Sequence, residues 1–243
     1  MTTRPNEQGA VTGNALGIFA KEPLPGLVKT RLCPPLTPEQ AALLYRESLM
    51  ETVEAVVAHV PAEPVLFYEG DEGFFKTCFP RLKCIPQRAG DLGQRMSQAF
   101  AYLFAAGCRT AALIGSDSPD LPPALITEAL VYLERTDLVA IPAVDGGYVL
   151  IGTRQHRPQL FLDIPWSTSG VWPATRQRAD ALGLSWRLVE QWFDLDRSAD
   201  LLLLIHRSPS SRTARLARRL LNSVPDEDSF SGMTVDLPGG DDR

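Results

Sequence analysis

The stretch TAALIGSDSPDL, residues 110–121, decides how this chain folds. Its first half is a nearly uninterrupted apolar run, which is typical of a strand covered on both faces in a parallel sheet. Asp117 and Asp120 follow that run and flank Ser118 and Pro119. The pattern predicts a buried central strand that ends at a polar corner.

Strand-like and helix-like segments alternate on both sides of this strand. Further strands are predicted at 15–20, 64–69, 81–87, 138–143, 147–152 and 185–190, and helices at 38–60, 71–79, 91–106, 122–134, 171–182 and from 198 onward. This alternation indicates an α/β sheet. Asp145 and Gly146 favour a tight hairpin turn, so one pairing is expected to be antiparallel and the sheet mixed.

Two of the predicted helices begin with a recognisable cap. Thr37 and Gln40 have the spacing of a capping box, with a proline between them at the first helical position. Asp91 and Gln94 repeat that spacing before the helix that ends near residue 106. These two helix starts are the best marked in the sequence.

Length and charge set the broad class of the protein. The chain has 243 residues and a formal net charge of −5, which disfavours a nucleic-acid partner. We expect one domain at 15–221, between a flexible N-terminus at 1–14 and a disordered acidic tail at 222–243. No stretch reaches the roughly 20 apolar residues of a membrane helix, and the polar N-terminus has no signal core. A cytoplasmic protein without a membrane span is expected, and the oligomeric state stays open.

Two acidic motifs carry the candidate metal chemistry. Asp117 follows the buried strand directly, at the edge where open α/β sheets bind ligands, and a carboxylate there suits a hard divalent cation. Asp194 and Asp196 alternate along an extended segment, so their side chains are expected to point the same way and reach one ion. Helix capping is the alternative for Asp117 and for the later pair, and it is the favoured role for Asp120.

The loop after the first predicted strand, AKEPLPGLVKTRL at 20–32, concentrates positive charge. Lys21, Lys29 and Arg31, together with free backbone amides near Gly26, are suited to hold a pyrophosphate at the end of a strand. The loop is not a Walker A sequence. A solvated basic loop is the alternative.

A second candidate for nucleotide binding is GDLGQRM, residues 90–96. Gly93 and Arg95 are the residues expected to face a nucleotide. Asp91 and Arg95 also have the i,i+4 spacing of a helical ion pair, which is the alternative.

Two later motifs, DGGYVLIG and WSTSG, supply candidates for contact with a sugar or an acceptor. Adjacent glycines allow the backbone to approach a ligand closely, and a neighbouring carboxylate can bind sugar hydroxyls. The candidates are Asp145, Gly146, Gly147, Tyr148, Ser167 and Thr168. A simple hairpin is the alternative for the first motif, and an N-cap for a following helix is the expected role of a hydroxyl in the second.

Taken in order, FAKEPLPGLVKTRL, GDLGQRM, IGSDSPDL, DGGYVLIG, WST and DLD with a later DL resemble a bacterial family of predicted glycosyltransferases, over about 16–204. That family looks like a branch of the nucleotide-diphospho-sugar transferase (GT-A) superfamily and is similar to 2-phospho-lactate guanylyltransferases. The resemblance implies a Rossmann-like three-layer α/β sandwich with a mixed, mainly parallel central sheet.

The same resemblance implies a divalent metal held by Asp117, with Asp194 and Asp196 as further candidate ligands, and the hypothesis below takes this metal to be Mg²⁺ or Mn²⁺. This chain has Ser118 where the family usually carries a cysteine. The resemblance therefore does not bring a cysteine-dependent mechanism to this chain.

The leading hypothesis is metal-dependent transfer of a sugar from a nucleotide-diphosphate donor to a small-molecule acceptor. The basic loop and Arg95 hold the nucleotide and phosphates, Asp117 holds the metal, and Asp145 deprotonates an acceptor hydroxyl. No nucleophile with an adjacent base is evident, which favours direct displacement. Nucleotidyl transfer from a nucleoside triphosphate to a phosphorylated small molecule is the alternative among enzymes. A non-catalytic nucleotide-binding regulatory protein is the alternative of another class.

Overall fold

The computed structural model describes residues 13–223, and its centre is a seven-stranded sheet. The strands in chain order are β1 Asn14–Lys21, β2 Glu63–Glu69, β3 Lys83–Pro86, β4 Thr110–Ile114, β5 Leu138–Pro142, β6 Tyr148–Thr153 and β7 Trp186–Leu188. Their order across the sheet is β3-β2-β1-β4-β6-β5-β7. The predicted central strand is therefore β4, in the middle of the sheet.

One strand reverses the direction of the sheet. β6 pairs antiparallel with β4 and β5, whereas the other named pairings are parallel. The β5–β6 hairpin turns through Asp145 and Gly146, and Gly146 has a φ of 94°, a conformation that glycine adopts without a steric cost. The predicted mixed, mainly parallel sheet and its hairpin are confirmed.

Helices cover both faces of the sheet, which makes three layers. The α-helices of the described chain are α1 Pro38–His59, α2 Glu72–Cys78, α3 Leu92–Ala105, α4 Pro123–Tyr132, α5 Val171–Ala181, α6 Ser198–Arg207 and α7 Arg212–Asn222. α6 and α7 pack with α1 in a separate cluster away from the sheet. α1, α2 and α4 pack in one core, while α3 and α5 pack in another on the opposite face. The Rossmann-like three-layer sandwich expected from the resemblance is confirmed.

The burial of β4 follows from its position between these layers. Ala112 and Ile114 pack into the core that contains α1 and α4, and Ala111 and Leu113 pack into the core that contains α3. Because both faces are covered, the strand is apolar at every position except its first, Thr110. The same arrangement leaves its polar continuation to emerge at the sheet edge.

The two predicted capping boxes are both present. The Gln40 amide donates to Thr37 Oγ1 at 3.2 Å, and the Thr37 amide donates to Gln40 Oε1 at 2.9 Å. At α3, Gln94 and Asp91 make the same pair of bonds, at 2.8 and 3.1 Å. Each box satisfies backbone N–H groups that a helix start leaves without a partner.

The C-terminal part of the described chain differs from the single helical stretch expected from residue 198 onward. The chain breaks between α6 and α7, and Ser211 caps α7 by accepting a hydrogen bond from the Ala214 amide. Residues 1–12 and 224–243, most of the predicted flexible terminus and acidic tail, lie outside the described residues. Among the described residues, no helix combines the length and the apolar character needed to span a bilayer.

α7 is attached to α1 through the carboxylate of Glu51. Glu51 accepts hydrogen bonds from the backbone amides of Arg212 and Thr213, at 2.9 Å each, and from the hydroxyls of Ser211 and Thr213. These amides belong to the first turn of α7, where N–H groups lack helical partners and negative charge is favoured. Glu51 therefore supports the last described helix from a distant part of the chain.

We expect Glu51→Ala to lower the free energy of unfolding by roughly 2–3 kcal/mol, because it leaves charged hydrogen bonds and two helix-end amides without their acceptor. Urea unfolding measures the loss. Glu128→Ala is the matched control, since Glu128 is an exposed helical glutamate. Equal effects of the two substitutions would contradict the structural role of Glu51.

Candidate active site

The carboxyl ends of the parallel strands β1 and β4 meet at one edge of the sheet and border a cleft of about 420 Å³. Open α/β sheets bind their ligands at this edge. The cleft is lined by eight of the residues singled out from the sequence: Lys21, Lys29, Arg31, Arg95, Asp117, Tyr148, Asp194 and Asp196. The structure thus brings the first loop, the β4 corner and the late acidic motif together.

A buried polar cluster fixes the corner after β4. The Tyr45 hydroxyl lies 2.7 Å from Ser116 Oγ and accepts a hydrogen bond from the Lys21 amide at 2.9 Å. Ser48 Oγ donates to the Ser116 carbonyl at 2.7 Å. Burial raises the pKa of Tyr45, so its hydroxyl stays protonated. The cluster locks the end of β1 to the start of the Asp117 corner.

Sequence reasoning did not select Tyr45, Ser48 or Ser116. The sequence does contain a signal for this cluster. Tyr45 and Ser48 are three positions apart on α1, so they lie on the same helix face as its apolar residues. Such a pair on a buried face needs polar partners.

The late acidic motif reaches the β4 corner because the segment before α6 is extended and runs along the sheet edge. Trp192 forms an isolated parallel β-bridge with Ala143, the residue that follows β5. The Leu195 amide donates to the Asp117 carbonyl at 2.8 Å. Asp194 then accepts a hydrogen bond from Ser118 Oγ at 2.7 Å. Two parts of the chain far apart in sequence are joined here.

Asp194 has an unusual pKa. Burial is the main cause that raises it, to about 6, and the negative charge of Asp117 raises it further. The Ser118 hydrogen bond and the Lys29 charge act in the opposite direction. A half-buried carboxyl beside a second carboxylate is a setting that favours a bound cation.

Lys29 supplies a cation at this place. Its ammonium lies 2.5 Å from Asp117 Oδ1 and also donates to the Leu195 carbonyl. The Lys29 side chain is only 7% exposed, whereas that of Asp117 is 47% exposed. Asp117 therefore has its lysine on the protein side and the cleft on the other.

Asp196 makes a different contact from Asp194. It pairs with Arg31, whose NH1 lies 2.7 Å from Asp196 Oδ2. Within residues 13–223, no three His, Cys, Asp or Glu side chains come together in a way that could hold a metal ion. In the described structure Asp117 and Asp194 thus lie side by side, whereas Asp196 forms an ion pair with the guanidinium of Arg31.

Arg95 enters the cleft from α3 and is held by a carboxylate that the sequence reading missed. Its NH1 lies 3.0 Å from Glu69 Oε2 and donates to Gln87 Oε1 at 3.1 Å. Glu69 also lies 3.5 Å from Lys21 Nζ. Asp91 caps α3 and the i,i+4 alternative with Arg95 does not form. The signal for Glu69 was its position at the end of β2, equivalent to that of Asp117 after β4.

Several predicted residues lie outside the cleft lining: Gly93, Asp145, Gly146, Gly147, Ser167 and Thr168. Gly93 packs against the side chain of Trp166, where an added Cβ would lie 2.8 Å from a ring carbon. Gly146 packs against the backbone of Ser169, where an added Cβ would lie 2.3 Å from the carbonyl oxygen. Both glycines allow close contact between protein segments.

The exposed turn of the β5–β6 hairpin carries Asp145. Its Oδ1 accepts a hydrogen bond from the Gly147 amide at 2.9 Å. The pKa of Arg31 is raised mainly by its ion pair with Asp196, and the pKa of Asp194 is raised mainly by burial. The charge of Asp145 adds a smaller increase to both pKa values. The hairpin therefore places a carboxylate close enough to act electrostatically on two residues that line the cleft.

Residues 167–169 were expected to supply the N-cap of α5, and that prediction is wrong. The cap position is Gly170, and no side chain caps the helix. Thr168 Oγ1 instead accepts from the Gly170 amide at 3.1 Å and donates to the Pro165 carbonyl. The hydroxyl stabilises the turn before the helix.

Asp120 was expected to cap α4, and that prediction is also wrong. Its side chain is 3% exposed and pairs with Arg207, with Oδ2 2.5 Å from Nε and Oδ1 3.0 Å from NH2. Ser208 Oγ donates to the same carboxylate at 2.8 Å. Pro122 occupies the cap position without a side-chain bond. Asp120 ties the end of α6 to the β4 corner.

Comparison with known proteins agrees with this fold. Residues 52–168 match a family described as an uncharacterised protein conserved in bacteria, DUF2064. A crystal structure from Desulfovibrio desulfuricans G20, described as a candidate nucleotide-diphospho-sugar transferase, is 32% identical, with 85% of this chain and 94% of that chain covered and a TM-score of 0.78. The chain belongs to the DUF2064 family. It is an enzyme of the transferase class.

More distant structures share the fold of this DUF2064 protein. CMP:2-keto-3-deoxy-manno-octonic acid synthetase, solved with CTP, is 12% identical over 86% of this chain and 100% of that chain, with a TM-score of 0.50. A 4-diphosphocytidyl-2C-methyl-D-erythritol synthase is 10% identical over 79% and 96%, with a TM-score of 0.54. The sequence matches no curated protein.

We expect Asp120→Asn to lower the free energy of unfolding by roughly 3 kcal/mol, because it leaves the half-buried Arg207 without its counter-charge. Thermal or urea unfolding measures the loss. Asn caps helices as well as Asp does, so a capping role would leave stability nearly unchanged. Asp163→Asn is the matched control, since it breaks the exposed pair with Arg178 at a cost of about 0–1 kcal/mol.

Proposed function

We propose that this DUF2064 enzyme transfers a glycosyl group from a nucleotide-diphosphate sugar to a hydroxyl of a small-molecule acceptor, with the help of Mg²⁺ or Mn²⁺. One arrangement carries this proposal: Asp117 and Asp194 lie side by side with the ammonium of Lys29 at the carboxyl end of β4, facing a cleft lined by further basic side chains. The name of the 32% identical protein supports a nucleotide-diphosphate sugar as the donor.

The oxygen atoms at this place suit a hard divalent cation. Asp117 and Asp194 offer carboxylates, and Leu195 offers a carbonyl that already accepts from an ammonium. Mg²⁺ usually binds one or two protein carboxylates and completes its shell with water and substrate phosphates, so two carboxylates suffice. An ion held there would neutralise charge on the departing diphosphate.

The charges of the cleft also favour a bound divalent cation. Four cations meet four carboxylates in and beside it: Lys21, Lys29, Arg31 and Arg95 against Glu69, Asp117, Asp194 and Asp196. With all groups charged this set is neutral, so a diphosphate alone would add uncompensated negative charge. A divalent cation entering with the diphosphate restores the balance.

The chain's own residues would act by positioning and electrostatics. Lys21 and Arg95 share the Glu69 carboxylate, and Gln87 holds the guanidinium of Arg95 from a second side. Such preoriented donors stabilise phosphate charge without reorganisation during the reaction. Direct displacement at the sugar carbon needs no protein nucleophile.

We assign the acceptor side to the β5–β6 hairpin. Asp145 is exposed on its turn and uses Oδ1 for the Gly147 amide, and its charge acts on both Arg31 and Asp194. Its carboxylate is proposed to take the proton from the acceptor hydroxyl as the new glycosidic bond forms. Tyr148, at the start of β6, lines the cleft and would contact the sugar.

Nucleotidyl transfer is a second candidate, favoured by the number of cations in the cleft. Lys21, Lys29, Arg31 and Arg95 would contact a nucleoside triphosphate by exchanging their carboxylate partners for its oxygens, with a divalent cation balancing the added charge. The fold neighbour that was solved with CTP supports this candidate at the level of the fold. The two reactions differ in products, because glycosyl transfer releases a nucleoside diphosphate and nucleotidyl transfer releases pyrophosphate.

We expect UDP- or GDP-sugars to stabilise the protein only in the presence of Mn²⁺, by roughly 2.7 kcal/mol at 100 times their dissociation constant. Thermal unfolding with and without Mn²⁺ tests binding, and nucleoside diphosphate released with a panel of hydroxyl acceptors tests turnover. Asp117→Asn should lose the metal-dependent stabilisation. Asp163→Asn, which changes an aspartate outside the cleft lining, should keep it.

Stabilisation by nucleoside triphosphates but not by nucleotide sugars, together with release of pyrophosphate, would contradict glycosyl transfer and support nucleotidyl transfer. Stabilisation by nucleotide sugars that is equal with and without Mn²⁺, and unaffected by Asp117→Asn, would contradict the metal-dependent mechanism.

We expect Asp145→Asn to lower kcat by about 10²–10⁴-fold, the usual contribution of a general base, while the KM for the donor changes little. The asparagine carbonyl can still accept from the Gly147 amide, so the turn is preserved. Steady-state kinetics with a saturating donor measures the effect. A change in donor KM with kcat unchanged would assign Asp145 to donor binding and remove it from catalysis.

A further inference from the structure

The position of Lys29 in the first loop is enforced by an uncommon backbone conformation. Its φ and ψ are 50° and 34°, in the left-handed region that residues other than glycine seldom adopt. Its side chain points inward and is 7% exposed, although lysines are seldom buried. The surrounding fold therefore holds this ammonium in place, although both the left-handed backbone and the burial of a lysine are unfavourable.

The atoms around the Lys29 ammonium are those that a divalent cation would use. It contacts Asp117 Oδ1 at 2.5 Å and the Leu195 carbonyl, and the residue before Leu195 is Asp194. Carboxylate and carbonyl oxygens are the ligands that Mg²⁺ and Mn²⁺ prefer. An ammonium and a divalent ion on the same Asp117 oxygen would repel each other and compete for its lone pairs.

We propose that Lys29 is an internal cation that occupies the metal position when no substrate is bound, and that metal and Lys29 are mutually exclusive at Asp117. This inference rests on the proposed function, in which the cleft takes a divalent ion and a diphosphate. When the metal binds, the ammonium leaves Asp117 and becomes available to the diphosphate in the same cleft.

This exchange couples metal binding to diphosphate binding. A metal ion that arrives alone must displace the ammonium from a favourable ion pair and leave it without a partner. A metal ion that arrives with a diphosphate provides the ammonium with a new anionic partner. By linkage each ligand then raises the affinity for the other, by a factor of typically 5–150.

Mn²⁺ binding to the full chain in the absence of nucleotide tests the competition. We compare wild-type protein with Lys29→Met, which keeps a long side chain without the charge, and detect free Mn²⁺ by electron paramagnetic resonance. The dissociation constant for Mn²⁺ should fall about tenfold in Lys29→Met. Lys83→Met is the control for loss of one positive charge, because Lys83 lies outside the cleft lining, over the ring of Tyr102. It should retain the wild-type dissociation constant.

The coupling is measured by repeating the titration with UDP or GDP as the diphosphate probe. The nucleotide should raise the Mn²⁺ affinity of wild-type protein more than that of Lys29→Met. Equal coupling in the two proteins would overturn the exchange of partners by Lys29.

A measurement on unmodified protein keeps the test independent of the folding of a variant. Acetic anhydride labels accessible amines, and peptide mass spectrometry gives the labelled fraction at Lys29. Labelling should be slow without metal and should accelerate when Mn²⁺ is added, while that of Lys83 stays constant. Labelling of Lys29 that is independent of Mn²⁺ would overturn the proposal.

A dissociation constant for Mn²⁺ that is equal or higher in Lys29→Met would also overturn the proposal, as would failure of both proteins to bind Mn²⁺. Failure of the proposed function has a different signature. The enzyme would then show no metal-dependent turnover of any donor, although Lys29→Met still binds Mn²⁺ more tightly than wild-type protein does.

Discussion

The hydrogen bond from the Leu195 amide to the Asp117 carbonyl, at 2.8 Å, is the constraint on which the cleft depends. It joins the end of the central strand to a segment nearly eighty residues later, and so fixes where Asp194 can lie. Because both partners are backbone atoms, the register of the two segments does not depend on which acidic side chains they carry. The side chains then differ in their contacts, with Asp194 on Ser118 and Asp196 on Arg31.

The cleft formed in this way is a set of ion pairs and not a free basic surface. Lys29 is paired with Asp117, and Arg95 with Glu69. A pattern of basic residues in a loop predicts attraction for phosphate, but carboxylates from other strands largely cancel that charge at close range. Ligand binding at such a site must exchange partners, which makes the affinity for an anion depend on any cation that enters with it.

The sequence predicted those features that local chemistry decides. The apolar run of β4, the capping box at Asp91 and the hairpin turn at Gly146 each depend on residues within a few positions of one another. The errors occurred where a distant partner decides the role. Asp120 has the composition of a cap, but Arg207, 87 positions later, takes its carboxylate. Gly93 stays a predicted nucleotide contact, and the structure adds that Trp166 packs against it. Spacing in the sequence contains no information about these partners.

Ser118 shows how one such partner changes the meaning of a motif. Its position is the one at which resemblance led us to expect a cysteine, and its side chain is buried and absent from the lining of the cleft. The hydroxyl donates to Asp194 Oδ1 at 2.7 Å and thereby orients that carboxylate and favours its charged form. The thiol of a cysteine at position 118 would be a weaker donor, but it could donate to the same carboxylate. Residue 118 therefore fits a supporting role behind Asp194, and a serine can fill that role without any nucleophilic chemistry.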